Sequence, residues 1–264
     1  MFGKQIRMER IVDRSSGRVV VVPLDHGISM GPIAGLINMR EVINNVAEGG
    51  ATAVLMHKGM VPYGHRCAGK DIGLIVHLSA GTALGVDPNS KVIVTTVEEA
   101  LTLGADAVSI HINLGADTEP MMIQNAGEIS RNCKKWGMPL LAMVYPRGSN
   151  IKDPFDVDAL KVCARVAAEL GADIVKTSYT GDADTFREVT KGAQIPVIIA
   201  GGPKMNTDTE LLTMVHDSIE AGGCGVSIGR NIFQHKNVVG ITKAVSDIVL
   251  HNASVEDALK NLRS

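Results

Sequence analysis

A lysine inside an apolar run is the residue of this sequence best suited to covalent chemistry. Lys176 follows Ile174 and Val175, and lysine is rarely buried without a reason. Desolvation lowers the pKa of an amine and frees its lone pair to attack a carbonyl carbon, which gives a Schiff base. Alternation along a strand puts Lys176 on the side of Ile174 and opposite Val175. A lysine that reaches the rim is the alternative interpretation, and Lys58 is the rival nucleophile.

Two other strand ends carry groups that can move protons or bind anions. Asp25 follows an apolar run, and a carboxylate there can accept or return a proton; the alternative is an Asp that caps a turn. Tyr145 follows a second run and would place a phenol beside the Schiff base, unless it is a rim aromatic. Arg147 can form two parallel hydrogen bonds with a phosphate or carboxylate, although a surface ion pair is an equal alternative.

Two glycine-rich turns near the end of the chain indicate a phosphate site. Gly201-Gly202 and Gly229-Arg230 each follow a short apolar run, and glycine lets backbone N–H groups approach an anion closely. Plain turns are the alternative. No GxxxxGK[ST] loop is present and no GxGxxG follows a strand, so a dinucleotide site is disfavoured.

The histidines and cysteines do not form recognisable metal motifs. A metal-dependent aldolase would need several histidines to converge, but none shows HxH or HExxH spacing. We therefore predict no metal and treat each histidine as a packed residue, with His57, His65 and His111 as the alternative ligands. No cysteine belongs to a CxxC pair, so we predict four reduced thiols, neither zinc-bound nor disulfide-bonded: Cys67, Cys133, Cys163 and Cys224.

The elements that must position these groups are short apolar runs. Each run follows a glycine turn, and each turn is preceded by a helix-like segment. This alternation favours a parallel α/β fold, and eight units in about 250 residues predict a single (β/α)8 TIM barrel spanning residues 1–264. An open doubly wound sheet is the alternative. Chemistry in such a barrel lies at the carboxyl ends of the strands. We predict strands at 19–24, 52–56, 73–78 or 91–95, 107–112, 139–144, 173–177, 197–200 and 225–228, and helices at 39–48, 97–103, 156–170 and 207–221.

Two segments fall outside this regular alternation. Residues 59–90 are irregular and rich in glycine, which predicts a long loop with a possible short strand at 73–78. Residues 254–263 predict a terminal helix with Ser254 as N-cap and Asp257 in place of the usual Glu of a capping box.

Composition excludes several classes of protein. The 264 residues contain 26 Lys and Arg against 28 Asp and Glu, a net charge of −2, so no basic excess indicates nucleic acid. No apolar run approaches the roughly 20 residues that a membrane span needs. The first ten residues lack the apolar core of a signal peptide, and we predict a cytoplasmic protein that binds neither nucleic acid nor membrane.

Five motifs, taken together and in order, resemble the DhnA-type class I aldolase family over residues 7–245. They are the stretch Pro23–Pro32 (PLDHGISMGP), Tyr145–Gly148 (YPRG), Val175–Thr177 (VKT), Ala200–Lys204 (AGGPK) and Gly229–Phe233 (GRNIF). The resemblance implies a barrel fold, no cofactor and a homo-oligomeric ring.

The resemblance also implies roles for particular residues. It puts the Schiff-base lysine at Lys176, the proton donor at Tyr145 and the proton acceptor at Asp25. The implied substrate contacts are Asp25, His26, Gly27, Ile28, Ser29, Tyr145, Pro146, Arg147, Lys176, Gly201, Gly202, Gly229 and Arg230.

Within the family, the chain is most similar to archaeal enzymes that make 2-amino-3,7-dideoxy-D-threo-hept-6-ulosonate. The implied reaction joins a fragment of a phosphorylated ketosugar, 6-deoxy-5-ketofructose 1-phosphate, to L-aspartate 4-semialdehyde, on an alternative route to 3-dehydroquinate and aromatic amino acids. The alternative is a class I fructose-1,6-bisphosphate aldolase. Ser29-Met30 stand where that branch commonly has Glu-His, which weakens the bisphosphate interpretation.

Overall fold

Eight parallel strands close into a barrel in the computed structural model, which describes residues 2–64 and 71–263. Two further strands form a small antiparallel hairpin on its upper rim. In chain order the strands are β1 Val19–Pro23, β2 Ala53–Met56, β3 Gly73–His77, β4 Ser79–Ala80, β5 Val92–Ile93, β6 Ala107–Leu114, β7 Leu140–Pro146, β8 Ile174–Thr177, β9 Val197–Ala200 and β10 Gly225–Ser227. The barrel order is β1-β10-β9-β8-β7-β6-β3-β2, so the predicted (β/α)8 TIM barrel is confirmed.

Helices alternate with these strands around the outside of the barrel. They are α1 Phe2–Ile11, α2 Gly27–Met30, α3 Met39–Glu48, α4 Val97–Thr102, α5 Glu119–Trp136, α6 Val157–Glu169, α7 Ala183–Ala193, α8 Asp208–Glu220, α9 Arg230–Phe233, α10 Val238–His251 and α11 Val255–Arg263, with a 3-10 helix at Lys58–Tyr63.

The third barrel strand resolves the ambiguity between two predicted segments. Residues 73–77 pair with β2 on one side and β6 on the other. Residues 92–93, within the rival segment 91–95, instead pair with 79–80 in the hairpin outside the barrel. The possible short strand predicted at 73–78 within the irregular stretch 59–90 is therefore confirmed, and it is a full member of the barrel rather than an extra strand.

The predicted helices agree closely with the structure, but several helices were not predicted. The segments α3, α4, α6 and α8 match their predicted ranges to within a residue at each end. The sequence interpretation did not include α1, α5, α7 and α10. At α11, Ser254 accepts from the Asp257 backbone N–H at 3.1 Å and donates to its carboxylate at 2.8 Å. Ser254 therefore caps this helix, while Asp257 bonds the hydroxyl rather than the backbone.

Alternate residues of each strand pack on opposite sides of the barrel wall. Val175 belongs to the apolar layer beneath the helices, whereas Ile174 belongs to a separate cluster inside the barrel. The side chains of Val21, Leu55 and Ile75 share that inner cluster. Because Lys176 shares the side of Ile174, as alternation predicted, it points into the barrel.

The sequence Gly-Ala-Asp occurs in two turns, at 104–106 and 171–173, and these turns stabilise the lower end of the barrel. Asp106 accepts from the backbone N–H of Leu74 at 2.9 Å and pairs with Arg10 of α1 at 2.6 Å. Asp173 accepts from the backbone N–H of Leu140 at 2.8 Å and pairs with Lys4 of α1 at 2.7 Å. Each aspartate therefore joins a neighbouring strand to the helix that covers this end, which explains the repeat without any catalytic role.

Among the residues with described positions, no helix is both long and apolar enough to cross a membrane. Cys133, Cys163 and Cys224 are free thiols, and burial raises the pKa of both Cys133 and Cys163 to about 12. Cys67 and His65 lie outside the described residues. The single domain, the oligomeric ring and the cytoplasmic location stay predictions.

Candidate active site

Three predicted catalytic side chains meet at the upper, carboxyl end of the barrel. Lys176 on β8 pairs in register with Met143 on β7, and Tyr145 lies two residues further along the same inward row. Asp25 lies just beyond the end of β1. All three side chains line one cavity of about 260 Å³. The barrel thus brings together Asp25 and Tyr145, which are 120 positions apart in the chain, and Lys176, which lies a further 31 positions on.

Lys176 is buried, and it lines both this cavity and a second cavity beside it, which is described below. The residue is only 7% exposed. Burial lowers the pKa of its amine to about 8; Asp25 opposes the shift and Arg147 adds to it. Lys58, the rival lysine, is instead half-exposed outside the cavities, where it pairs with Glu99 at 2.9 Å. The geometry therefore favours Lys176 as the reactive amine.

The carboxylate of Asp25 lies close to two imidazole rings. Its oxygens are 3.6 Å from His26 Nδ1 and 3.9 Å from His77 Nε2. Burial raises the pKa of Asp25, but electrostatic attraction to His77, His26 and Lys176 outweighs burial and lowers it. His77, whose own pKa burial lowers to about 4, carries its charge only in acid; near pH 7 it is neutral and Asp25, with its lowered pKa, is ionised.

Tyr145 is held between two neighbours on the cavity wall. The guanidinium carbon of Arg147 lies 4.5 Å from the centre of its ring, and the ring of His111 lies 5.2 Å away, centre to centre. Burial raises the pKa of the phenol well above its usual value. The phenol is therefore protonated across the neutral pH range and can donate a proton.

The predicted glycine turns form a second cavity, which we call the glycine-loop cavity. It has a volume of about 340 Å³ and lies beyond the ends of β9 and β10. Arg230 donates to the Gly202 carbonyl at 3.1 Å, which aligns the arginine with the turn. Its other walls include Pro23, Pro146, Phe155, Ala200, Gly201, Pro203, Ser227 and Gly229.

Asn231 connects the two glycine turns, and the sequence interpretation missed this role. Its amide donates to the carbonyls of Gly201 and Pro203 at 3.0 Å each, and its oxygen accepts from the Met205 N–H at 2.8 Å. The residue is buried and belongs to the GRNIF motif, so the motif contained the signal. Asn231 therefore fixes the spacing of the turns on either side of the cavity.

Close packing requires glycine at two of these positions. A Cβ on Gly201 would lie 2.7 Å from Ile228 Cγ2, and a Cβ on Gly229 would lie 2.5 Å from His26 Cε1. Neither distance is compatible with a normal carbon–carbon contact. The glycines thus let the turns pack against the barrel while their backbones face the cavity.

The other cavity, which we call the histidine cavity, extends from Lys176 to the hairpin. His57, His77 and His111 project into it from β2, β3 and β6. His77 Nδ1 lies 2.7 Å from Ser109 Oγ, and the rings of His57 and His77 are 5.2 Å apart. Burial lowers the pKa of all three. Its described lining residues are Asp25, His26, Ile28, Ser29, Met30, His57, His77, Ser79, Gly81, Lys91, His111, Met143, Tyr145, Arg147, Lys176 and Arg230.

The predicted stretch from His26 to Ser29 is only partly cavity wall. His26 lines both cavities and packs edge to face on Phe233, with ring centres 5.1 Å apart. Ile28 and Ser29 line the histidine cavity, whereas Gly27 lines neither. The Ser29 hydroxyl donates to the Gly81 carbonyl at 3.0 Å, so it also fastens the segment that carries the hairpin.

Convergence of histidines from separate strands was not visible in their spacing. Within residues 2–64 and 71–263, no group of three His, Cys, Asp or Glu side chains is arranged to hold a metal ion. Lys91, beside β5, is a further cavity residue that the sequence interpretation missed. No local signal marks it, because the hairpin comes close to the barrel only after folding.

Comparisons with known proteins agree with this fold and show its family. The profile of the DeoC/LacD family of aldolases matches residues 19–235. The chain is 44% identical over 262 residues to 2-amino-3,7-dideoxy-D-threo-hept-6-ulosonate synthase 1 of Archaeoglobus fulgidus, covering 98% of this chain and 96% of the relative. It is 36% identical over 259 residues to 2-amino-4,5-dihydroxy-6-oxo-7-(phosphonooxy)heptanoate synthase of Streptomyces griseus, covering 98% and 94%.

The fold of this chain is also similar to that of a solved aldolase structure. An archaeal fructose-1,6-bisphosphate aldolase, with its catalytic lysine covalently bound to the carbinolamine intermediate of the substrate, superimposes with a TM-score of 0.86. It is 29% identical, and the match covers 93% of this chain and 99% of that one. The family match, the full-length relatives and this barrel together show that the chain is a lysine Schiff-base enzyme belonging to the DeoC/LacD family of aldolases.

Proposed function

We propose that this enzyme makes 2-amino-3,7-dideoxy-D-threo-hept-6-ulosonate from 6-deoxy-5-ketofructose 1-phosphate and L-aspartate 4-semialdehyde. The observation that carries the proposal is the geometry at Lys176: a buried amine with a pKa of about 8, beside an ionised carboxylate and a protonated phenol in one cavity. The similarity to the Archaeoglobus synthase supports this choice of substrates.

In the first half of the reaction, the amine of Lys176 attacks a ketone of the donor, and loss of water gives a protonated imine. The imine withdraws electrons from the carbon–carbon bond one position away. As that bond breaks, its electron pair moves toward the imine and forms an enamine on Lys176. Asp25 accepts the proton of the neighbouring hydroxyl, which becomes the aldehyde of the released fragment. A carboxylate that is ionised at neutral pH suits this role.

In the second half, the enamine carbon attacks the aldehyde of the semialdehyde and forms the new carbon–carbon bond. Tyr145 donates its phenolic proton to the resulting alkoxide, which a phenol of raised pKa can do because it is protonated beforehand. Water then hydrolyses the imine and frees Lys176. Return of the proton from Asp25 to Tyr145 restores both groups for the next turnover.

We assign the donor phosphate to the glycine-loop cavity. Backbone N–H groups at Gly202 and Gly229 are proposed to face it, and the guanidinium of Arg230 to pair with it. Arg147 and His26 lie between the two cavities and are proposed to contact the sugar. These assignments extend the contacts that the family resemblance implies.

Borohydride trapping tests the nucleophile directly. Reduction in the presence of the donor should add one substrate fragment to the peptide that holds Lys176, and Lys176→Ala should abolish both the adduct and turnover. Lys58→Ala is the matched control and should be labelled normally. Labelling that persists in Lys176→Ala, or that moves to Lys58, contradicts the assignment.

A panel of substrates separates the two enzyme functions. The unmodified enzyme should turn over the deoxyketosugar phosphate with aspartate semialdehyde and should cleave fructose 1,6-bisphosphate poorly. Efficient cleavage of the bisphosphate without any turnover of the semialdehyde would replace the proposed function by the bisphosphate aldolase, which the likeness to the archaeal structure also makes reasonable.

A further inference from the structure

The histidine cavity contains more positive charge than the chemistry at Lys176 uses. Lys91, Arg147 and Arg230 line it together with Lys176, and Asp25 is the acidic residue among its described walls. Arg230 also faces the glycine-loop cavity, where it is aligned by the Gly202 carbonyl. Lys91 and Arg147 are therefore the cations that the proposed handling of the donor phosphate does not employ.

Contacts within the hairpin fix the position of the Lys91 side chain. Its ammonium donates to the Pro88 carbonyl at 2.7 Å and lies against Gly81, where a Cβ would come within 2.8 Å of Nζ. The hairpin itself is joined to the barrel wall: the Asn113 amide donates to the Asn89 carbonyl at 2.7 Å. The side chain is thus held at the cavity by contacts at both ends of its loop.

The two cations are close enough to influence each other and their neighbours. Burial lowers the pKa of Lys91, and Arg147 lowers it further. The charge of Lys91 also contributes to the lowered pKa values of His77 and His111. Lys91 is partly buried and Arg147 is exposed at the mouth of the same cavity. Two cations that repel each other across a cavity are stabilised when an anion binds between them.

We propose that Lys91 and Arg147 form an anion subsite that binds the carboxylate of the acceptor aldehyde. The inference rests on the proposed function, in which the acceptor is an amino-acid semialdehyde. The aldehyde carbon of the released fragment and that of the incoming acceptor occupy the same position next to the enamine. The remainder of each molecule can extend away from the enamine in opposite directions. The donor phosphate then lies in the glycine-loop cavity and the acceptor carboxylate in the histidine cavity, on either side of Lys176.

The test is the kinetics of Lys91→Met, which keeps most of the side-chain length and removes the charge. KM for aspartate semialdehyde should rise about 10- to 100-fold, the usual effect of losing one charge-assisted contact. The donor KM and the rate of borohydride trapping with donor should stay within about twofold. Turnover with the neutral acceptor glyceraldehyde should be unchanged.

Lys58→Met is the matched control for a loosened hairpin. Lys58 donates to the Val94 carbonyl at 2.8 Å, directly after β5, but does not line the cavity. This variant should leave the acceptor KM within about twofold. An equal rise in Lys58→Met, or an equal loss with glyceraldehyde, would mean that Lys91 supports the loop rather than binding an anion. A rise in acceptor KM in Arg230→Met but not in Lys91→Met would place the carboxylate in the phosphate subsite and overturn the proposal.

A second pair of acceptors keeps this inference separate from the proposed function. If the unmodified enzyme does not use aspartate semialdehyde, the proposed function fails. The subsite is then tested with dihydroxyacetone phosphate as donor and glyceraldehyde 3-phosphate against glyceraldehyde as acceptor. Loss of the preference for the anionic aldehyde in Lys91→Met supports the subsite, and an unchanged preference contradicts it.

Discussion

The two cavities beside Lys176 are built from different parts of the polypeptide. The glycine-loop cavity uses two short turns after the adjacent strands β9 and β10, with the glycine turns and Arg230 lining the cavity. The histidine cavity uses side chains on or just beyond six strands, β1, β2, β3, β6, β7 and β8, and from the hairpin. The glycine-loop cavity thus depends mainly on local backbone conformation, whereas the histidine cavity depends on side chains brought together from distant positions in the chain.

This difference determines what each cavity can do. Backbone N–H groups in fixed turns suit a phosphate, whose oxygens accept several hydrogen bonds at once. The histidine cavity has neutral imidazoles, an ionised Asp25 and two cations, Lys91 and Arg147, that are not assigned to the donor phosphate; this lining suits proton movement and a smaller anion. The comparison therefore predicts separate effects on chemistry, on donor binding and on acceptor binding.

Tyr145 lies between the cavities, and its hydroxyl is the test of the proton-transfer role. Tyr145→Phe keeps the ring between Arg147 and His111 and removes only the acidic proton. We expect kcat to fall by about 10²- to 10⁴-fold, the usual contribution of general acid catalysis, while the donor KM stays close to normal. Steady-state kinetics check this. A higher donor KM with unchanged kcat would instead make Tyr145 a binding residue.

Arg230 is the corresponding test of the glycine-loop cavity. Arg230→Met removes the proposed partner of the phosphate, and losing one charge-assisted contact costs about 1.5–3 kcal/mol. This corresponds to roughly a 10- to 150-fold loss in kcat/KM, mainly through the donor KM. Arg165→Met, which breaks an exposed ion pair with Glu169 on α6, is the control and should behave normally. Normal donor binding in Arg230→Met would remove the functional difference between the cavities.

The pH dependence tests the amine that the two cavities share. Only the unprotonated amine attacks the ketone, so kcat/KM for the donor should rise as pH increases and level off above about 8, the pKa of Lys176. Below that value the slope should be about tenfold per pH unit. A profile between pH 6 and 10 measures this. A rate that keeps rising to pH 10 would mean that Lys176 has an ordinary pKa.

Chelation should have the smallest effect and tests the histidine cavity. In the proposed mechanism the imine on Lys176 withdraws electrons from the breaking bond, which is the role a divalent ion plays in metal-dependent aldolases. We therefore expect prolonged dialysis against EDTA to leave kcat unchanged. Loss of activity that zinc restores would make His57, His77 and His111 candidate ligands and would change the proposed mechanism.

Local sequence was sufficient to predict most of the barrel and one side of the site. The local sequence pattern located seven strands and five helices because each element depends mainly on its own residues and immediate flanks. Alternation along β8 was enough to place Lys176 on the side of Ile174, and the barrel makes that side the interior. The glycine turns were also visible, because a backbone that faces an anion requires consecutive residues of a particular type.

Tertiary structure alone decided the rest. Residues 73–77 form a barrel strand because β2 and β6 pair with them on both sides, a condition no local pattern expresses. The three histidines meet because barrel closure and strand register direct each inward at a similar height. Lys91 reaches the cavity because contacts between residues 24 positions apart, Asn89 and Asn113, hold the hairpin against the wall. Side chains from separate strands acquire a common environment only when the barrel closes, so their chemistry depends on distances that sequence spacing does not contain.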